Sequence, residues 1–257
     1  MNLFEQYGIK EVADVIVYEL NTDGSFGNPV LFFDSLKISN IEQTGETADA
    51  RGGKGNPKLI SWNYNKEIML TLQDALLSPK SLEFMTGANG TAHSGVKNIR
   101  KAEVASVGAS GAFTTKYDAV GSSVYVMDTA ETITSTNGTY TSTVATSGST
   151  VRVGYNVASV TDTVYEVVIK PDSFPGTYGI VGDTFIRNRT TGVDEGFQFI
   201  IPKAKLGTDV TFTMEAAGDP TVFDMSVTVL KANNGSMVSL VKYDLGDETT
   251  TNSISNL

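Results

Sequence analysis

A glycine-rich, basic stretch is the first candidate for chemistry in this sequence. The segment "ADARGGKGNPKLISW" (residues 48–62) places Lys54 among three glycines, a composition whose backbone N–H groups can cradle a phosphate. The P-loop pattern G-x-x-x-x-G-K-[ST] requires a glycine where this chain has Ala48, and a Ser or Thr where it has Gly55. A strand pattern follows, in place of the helix whose N-terminus would hold the anion. The spacing therefore argues against a nucleotide site.

The single histidine has no catalytic or metal-binding partner in its sequence neighbourhood. His93 lies in "GTAHSGV" beside Ser94, and no G-x-S-x-G nucleophile motif occurs. One histidine and no cysteine exclude a two-histidine metal site and a cysteine nucleophile. No calcium-loop motif is present, and no carboxylate pair stands out for acid–base catalysis. We predict an exposed loop histidine in a chain that is not an enzyme and needs no cofactor and no metal.

The charge of the chain limits its partners. Its formal net charge is -10, whereas proteins that grip nucleic acids neutralise phosphates with clustered Lys and Arg. The stretch "MNLFEQYGIKEVADVIVYEL" carries charged residues along its length, so we expect neither a signal peptide nor a membrane span there. Tightly held nucleic acid and membranes are therefore not expected as partners.

Most of the chain alternates apolar and polar residues, which is typical of β-strands with one face in the core. In "PKLISWNYNKEIMLTL" the alternation predicts one long strand, or two joined near Asn65-Lys66, with Trp62 and Tyr64 on the core face. Two more strand pairs are predicted, "DVIVYEL" with "PVLFFDSLKI" and "GFQFII" with "SMVSLVKYD". A hairpin is predicted where Gly218-Asp219-Pro220 separates "VTFTMEA" from "VFDMSVTV".

One short helix is predicted over residues 78–86. In "LLSPKSLEFMTGAN", Ser78 is a suitable N-cap, and Pro79 fits the first helical position, where a missing N–H costs nothing. Gly87 is placed to end the segment. A helix of this length depends on tertiary contacts, so we expect it to pack against a sheet.

The middle of the chain differs in composition from its flanks, because Ser and Thr dominate and large apolar residues are few. Asn137-Gly138 is a hairpin signal there. We predict a mainly β protein with a discontinuous β domain over 1–112 plus 171–245, an inserted Ser/Thr-rich, Ig-like β subdomain over 113–170, and a polar tail over 246–257. The alternative for the insertion is a flexible polar surface segment.

The order of these elements resembles that of tailed-bacteriophage major tail tube proteins. The resemblance lies in "NLFEQYGIKEVADV", in the region from "SLKISNIEQTGETADARGGKGNPKLISW" to "LLSPKSLEFMTGA", and in "FQFIIPKAKLGTDVTFTMEA" with the later "MVSLVKYD". It covers about residues 1–110 and 180–245, and it leaves the Ser/Thr-rich middle as an insertion.

The resemblance implies a non-enzymatic, self-assembling virion subunit. Proteins of that family are β-sandwiches with a short flanking helix, to which the helix over 78–86 corresponds. They form hexameric rings whose inner sheets join into a barrel, and the rings stack into a tube that conducts DNA during ejection. The implied partners are further copies of this chain, other tail proteins, and DNA that passes without specific binding. The implied location is the virion tail, after synthesis in the host cytoplasm.

The same resemblance assigns the connection between "FFDSLKISNIEQ" and "PKLISWNY" to the long loop that reaches the adjacent ring. We expect a flexible connection, because glycine favours disorder of the free chain. Its cations are expected either to stay in solvent or to contact an acidic patch on a neighbouring copy. The predicted inter-subunit residues are Thr44, Asp49, Arg51, Gly52, Gly53, Lys54, Gly55, Asn56 and Lys58.

Three other functions stay open from the sequence. A capsid or head decoration protein would also be acidic, rich in β-structure and free of cysteine. A hydrolase would need two carboxylates that folding brings together. A carbohydrate-binding β module would stack sugar rings on aromatic side chains. The candidates for such stacking are Trp62, Tyr64, Tyr125, Tyr140 and Tyr155.

Overall fold

A computed structural model describes residues 5–211 and 222–244 of the chain. Strands dominate the described residues, which confirms the predicted mainly β class. Contacts between residues divide the chain into two compact units. The larger unit combines the chain up to Asn89 with the chain from Val168 onward, and the smaller unit comprises Gly90–Val167.

The elements are numbered in chain order. They are β1 (Tyr7–Ile9), β2 (Asp14–Leu20), β3 (Phe26–Phe33), β4 (Leu36–Arg51), β5 (Lys58–Asp74), α1 (Pro79–Thr86), β6 (Gly90–His93), β7 (Asn98–Ser106), β8 (Ala112–Phe113), β9 (Ser123–Val126), β10 (Glu131–Thr134), β11 (Tyr140–Thr141), β12 (Thr150–Ala158), β13 (Val164–Val167), β14 (Thr177–Asn188), β15 (Asp194–Leu206), β16 (Phe223–Val229) and β17 (Ser239–Tyr243). Short 3-10 turns occupy Ala109–Gly111 and Val120–Ser122.

One antiparallel sheet forms the larger unit. Its main strand order is β3-β2-β14-β15-β16-β5-β4, while β1 also pairs with β14 and β17 also pairs with β15. The predicted pair β15 with β17 is confirmed. The predicted partner of β2, "PVLFFDSLKI", pairs with it only as far as Phe33, and the chain from Leu36 onward belongs to β4 and pairs with β5. The predicted hairpin around Gly218-Asp219-Pro220 and the predicted tail over 246–257 lie outside the described residues.

The sheet is rolled, so that its two edge strands approach each other. β3 ends at Phe33 and β4 begins at Leu36, although these strands lie at opposite ends of the main order. Seven flat strands would separate the edges by about 29 Å, whereas the two-residue link spans at most about 11 Å. The N–H of Ala13, just before β2, also donates to Ser39 Oγ of β4 at 3.1 Å. The core inside the roll includes Val15, Val17, Leu70, Leu72, Ile180, Ile201, Met225 and Val227.

The helix α1 forms where the sequence predicts it. The Ser78 side chain accepts from the Ser81 N–H at 2.9 Å, and the Ser78 N–H donates to Ser81 Oγ at 2.9 Å, which completes a capping box. Gly87 ends the helix at a φ of 66°, in the left-handed region that favours glycine. Phe84 packs on the core, with its ring centroid 4.9 Å from that of Tyr178.

The smaller unit begins earlier than the predicted insertion. β7 pairs along its whole length with β12, so the segment over 98–106 belongs with the residues that the prediction placed after 113. The unit contains a sheet of order β10-β9-β12-β7 and the two-stranded pairs β8–β11 and β6–β13. Local composition could not reveal this boundary, because β7 and β12 are far apart in the sequence. That the unit is an independent, Ig-like domain stays a prediction.

The Ser/Thr-rich segment is held by a buried aromatic core and by one carboxylate. Tyr140 and Tyr155 are buried, so they are not available as sugar-stacking platforms. Glu131 accepts hydrogen bonds from Thr129 Oγ1 at 2.6 Å and from Thr143 Oγ1 at 2.7 Å, and Ser142 donates as well. These donors, Ser142 foremost, lower the pKa of Glu131 to about 2.

Candidate functional site: a two-stranded arm in the larger unit

β4 and β5 continue beyond the sheet as a two-stranded ribbon. The C-terminal half of β5 pairs with β16 and buries Ile68, Leu70 and Leu72 in the core. Residues 44–67, which we name the arm, pair only with each other among the residues that the structure describes. Every side chain of β5 from Lys58 to Glu67 is exposed. The arm is therefore a hairpin with both faces in solvent.

The predicted flexible connection is wrong for most of its length. Thr44 and Asp49 are strand residues, which pair with Glu67 and Ser61. Only residues 52–57 form a turn, with the glycines at positions 53 and 55 at φ values of 83° and 86°. Glycine is needed there because a side chain disfavours the left-handed region. In the rest of the segment, backbone pairing with β5, whose residues favour strands, keeps the chain ordered.

A β-bulge separates the arm from the part of the hairpin in the core. The pairs Thr44–Glu67 and Glu46–Tyr64 flank the bulge, leaving one residue of β4 opposite two residues of β5. The first of these two, Asn65, adopts a φ of 48°. Because side chains alternate along a strand, one extra residue moves all later side chains of that strand to the other face.

The bulge decides where the aromatic residues of β5 lie. Ile60, Trp62 and Tyr64 project from the face opposite to that of Ile68 and Leu70. The prediction that Trp62 and Tyr64 lie in the core is wrong, because their side chains are 54% and 47% exposed. A strict alternation through the whole of β5 takes no account of the extra residue. It therefore places the residues on the N-terminal side of the bulge on the wrong face of the strand.

The arm has one apolar face and one polar face. On the polar face, Asp49 accepts from Ser61 Oγ at 2.8 Å, Lys58 Nζ at 2.9 Å and Arg51 Nη2 at 3.4 Å. These donors, Lys58 foremost, hold the pKa of Asp49 below its ordinary value. Arg51 and Lys58 thus contact a carboxylate of their own chain. The two expectations for these cations were solvent and an acidic patch on a neighbouring copy, and neither described this contact. The apolar face consists of Ala48, Ala50, Ile60, Trp62 and Tyr64.

The nine predicted inter-subunit residues all lie in the arm, and their role stays a prediction. Thr44, Asp49 and Arg51 are in β4, and Lys58 begins β5. The turn contains Gly52, Gly53, Lys54, Gly55 and Asn56. The sequence reasoning selected the polar tip and missed the apolar face. The available signal was the break in the alternation at Lys66, which lies in the bulge.

His93 lies in a strand of the smaller unit, so the prediction of a loop histidine is wrong. It pairs with Val164 across β6 and β13. Its Nε2 is 2.7 Å from Glu166 Oε2, and Lys97 contacts the same carboxylate. The two basic side chains, Lys97 foremost, lower the pKa of Glu166. The cluster lies at the end of the β6–β13 pair, with a carboxylate beside the histidine in place of a nucleophile.

Other kinds of site were sought in the described ranges, 5–211 and 222–244. No group of three or more His, Asp or Glu side chains in these ranges is arranged to hold a metal ion. No helix within them is long and apolar enough to cross a membrane. The arm is therefore the feature that calls for a functional explanation.

Comparison with known protein families indicates the class to which this protein belongs. The model of the YomU/Tube protein family matches residues 7–241, which include the whole arm. The chain belongs to the YomU/Tube protein family. No curated protein matches it. Membership in a tube family favours a structural role over a catalytic one.

Proposed function

We propose that this protein is a self-assembling subunit of a bacteriophage tail tube. Copies of the chain form hexameric rings, and the rings stack into the tube of the virion tail through which DNA passes. The arm joins neighbouring rings, and other tail proteins contact the tube at its ends. Membership in the YomU/Tube protein family and the form of the arm support this proposal.

The apolar face of the arm is the observation that carries the proposal. A two-stranded hairpin is at best marginally stable in water, and this one exposes Ile60, Trp62 and Tyr64 along one side. Covering the exposed halves of the two aromatic side chains, about 100 Å² each, would contribute on the order of 5 kcal/mol. Association itself costs about 4–15 kcal/mol. One arm contact is therefore too weak to hold two copies together. Repeated contacts, as in stacked closed rings, add up to a stable assembly.

Acidic groups on the outer face of the rolled sheet fit the passage of DNA. Asp14 and Asp183 are cross-strand neighbours on the face opposite the core. The Tyr243 hydroxyl donates to both oxygens of Asp183, at 2.7 and 2.8 Å. Adjacent like charges destabilise a sheet, but on a lumen wall they would repel phosphates and keep DNA mobile. We assign this face to the lumen, in keeping with the net charge of -10.

Microscopy of the purified protein tests the proposal. At increasing protein concentration, negative-stain images should show rings or tubes of uniform diameter, and sedimentation velocity should show large species. Salt and pH are held constant, because charged surfaces respond to both. A single monomeric species at every concentration, with no rings in the images, would reject the proposed function.

A further inference from the structure

An apolar groove lies in the larger unit beside the base of the arm. Its volume is about 1000 Å³. The carboxylate among its lining residues, Glu11, is paired with Lys10 at 3.2 Å. Large apolar side chains that are clustered and exposed mark binding surfaces. Four exposed apolar residues line this groove, namely Ile9, Val12, Ile38 and Leu240.

The arm of the same chain does not fit into this groove. Gln43, Lys66 and Ile68 line the groove, so the arm begins at its rim. Continuous pairing keeps the ribbon extended beyond that point. The bulge places Trp62 and its apolar neighbours on the face opposite to that of Ile68. The apolar face of the arm is therefore turned away from the groove of its own chain.

The groove and the arm are complementary in charge as well as in apolarity. Lys37 and Lys66 line the groove, and no ion pair within residues 5–211 and 222–244 includes either of them. Glu42, Glu46 and Glu67 lie toward the base of the arm on its apolar side, and the same described ion pairs omit them. Opposite charges at the rim of an interface select the partner and its register.

We propose that the groove of each copy receives the apolar face of the arm of another copy. This inference rests on the proposed function and names the surface that the arm contacts. The interface is heterologous, because each chain contributes an arm to one neighbour and a groove to another. Because the arm joins neighbouring rings, such contacts continue from ring to ring along the tube, and they do not stop at a dimer.

Chemical cross-linking tests the contact, because the chain contains no cysteine of its own. The test variant carries Trp62→Cys with Leu240→Cys, and the matched control carries Asn63→Cys with Leu240→Cys. Residue 63 is adjacent in β5 but lies on the polar face of the arm. With a short bismaleimide, the test variant should give a ladder of dimers, trimers and longer chains, at least tenfold more than the control. Equal ladders from the two variants, or none from the test variant, would overturn the proposal.

Mixing two surface variants tests whether the interface is heterologous. Trp62→Asp removes the apolar face of the arm, and Leu240→Asp removes that of the groove. Both residues are exposed, so the thermal unfolding of the monomer should not change. Neither variant alone should stack its rings into tubes, while an equal mixture should pair one ring of each kind through the remaining arm and groove. A mixture that shows no such pairing, or single variants that stack like the wild type, would contradict the proposal.

The results separate this inference from the proposed function. Rings or tubes of wild-type protein without the 62–240 cross-link would reject the groove as the receiving surface and leave the tail-tube function intact. A specific 62–240 ladder in a protein that forms neither rings nor tubes would support the groove contact and reject the tail-tube function.

Discussion

In both halves of the β4–β5 hairpin, β4 pairs with β5, but one half is buried in the core and the other is exposed to solvent. In the half within the sheet, Leu70 and Leu72 are fully buried. In the arm, Trp62 and Tyr64 are about half exposed, although they are equally apolar in the sequence pattern. The difference arises from the bulge and from the lack of a third described strand along the arm. Apolar residues of the first half stabilise the single chain, whereas those of the second are available to another copy.

The largest expected effect separates the two halves by stability. Leu70→Ala removes a fully buried side chain from the core and should lower the free energy of unfolding by about 3 kcal/mol. Trp62→Ala should change it by less than about 0.5 kcal/mol, because the residue is exposed in the single chain. Urea unfolding at a concentration where the protein is monomeric measures both changes. Equal destabilisation by the two substitutions would show that the arm belongs to the monomer core.

The next effect concerns assembly, where the roles are reversed. Trp62→Ala should raise the concentration needed for assembly about 30-fold, the equivalent of about 2 kcal/mol for a central aromatic contact. Asn63→Ala, on the polar face, should change that concentration less than about twofold. Light scattering during stepwise dilution provides the measurement. If the two variants assemble alike, the apolar face is not the contact surface.

The bulge itself can be removed. Inserting an alanine after Gly45 leaves one residue of β4 opposite each residue of the bulge and moves Trp62 to the face shared with Ile68. The monomer should remain folded by circular dichroism, and assembly should be lost. Asn65→Gly keeps the bulge and its left-handed backbone, so it should assemble like the wild type. Normal assembly of the insertion variant would contradict the role given to the bulge.

The smallest effect concerns the polar face of the arm, where the Asp49 carboxylate already has its partners within the same chain. Because the pKa of Asp49 is lowered, its ion pairs contribute stability above its ordinary pKa of about 4, and this contribution is lost as the pH falls through the lowered value. NMR titration of the Asp49 carboxyl carbon follows this directly. Lys58→Met should raise the titration midpoint more than Arg51→Met, since Lys58 is the main cause of the shift. The reverse order would contradict the observed geometry.

Features that depend on nearby residues were predictable from the sequence. The helix α1 followed from Ser78, Pro79 and Gly87, whose cap contacts span only a few positions. The strand pair β2–β3 followed from two apolar patterns joined by a short turn. The nine predicted positions identified the tip of the arm, although they did not identify its apolar face.

Features that depend on distant partners were not predictable in the same way. The contact of His93 with Glu166 requires the pairing of β6 with β13, and the early start of the smaller unit requires the pairing of β7 with β12. The groove combines residues such as Val12, Ile38 and Leu240 from three separate segments. No local pattern announces that such segments will meet.

The sequence by itself determined the mainly β class, the capped helix and a glycine turn at residues 52–57, because these depend on backbone preferences and on the period of apolar residues over short distances. Only the tertiary structure decided that Trp62 and Tyr64 lie on an exposed face and that the glycine stretch closes an ordered hairpin. The physical reason is register. The face that a strand residue occupies is set by its partner on the neighbouring strand, and one extra residue in β5 reverses that face for the whole arm.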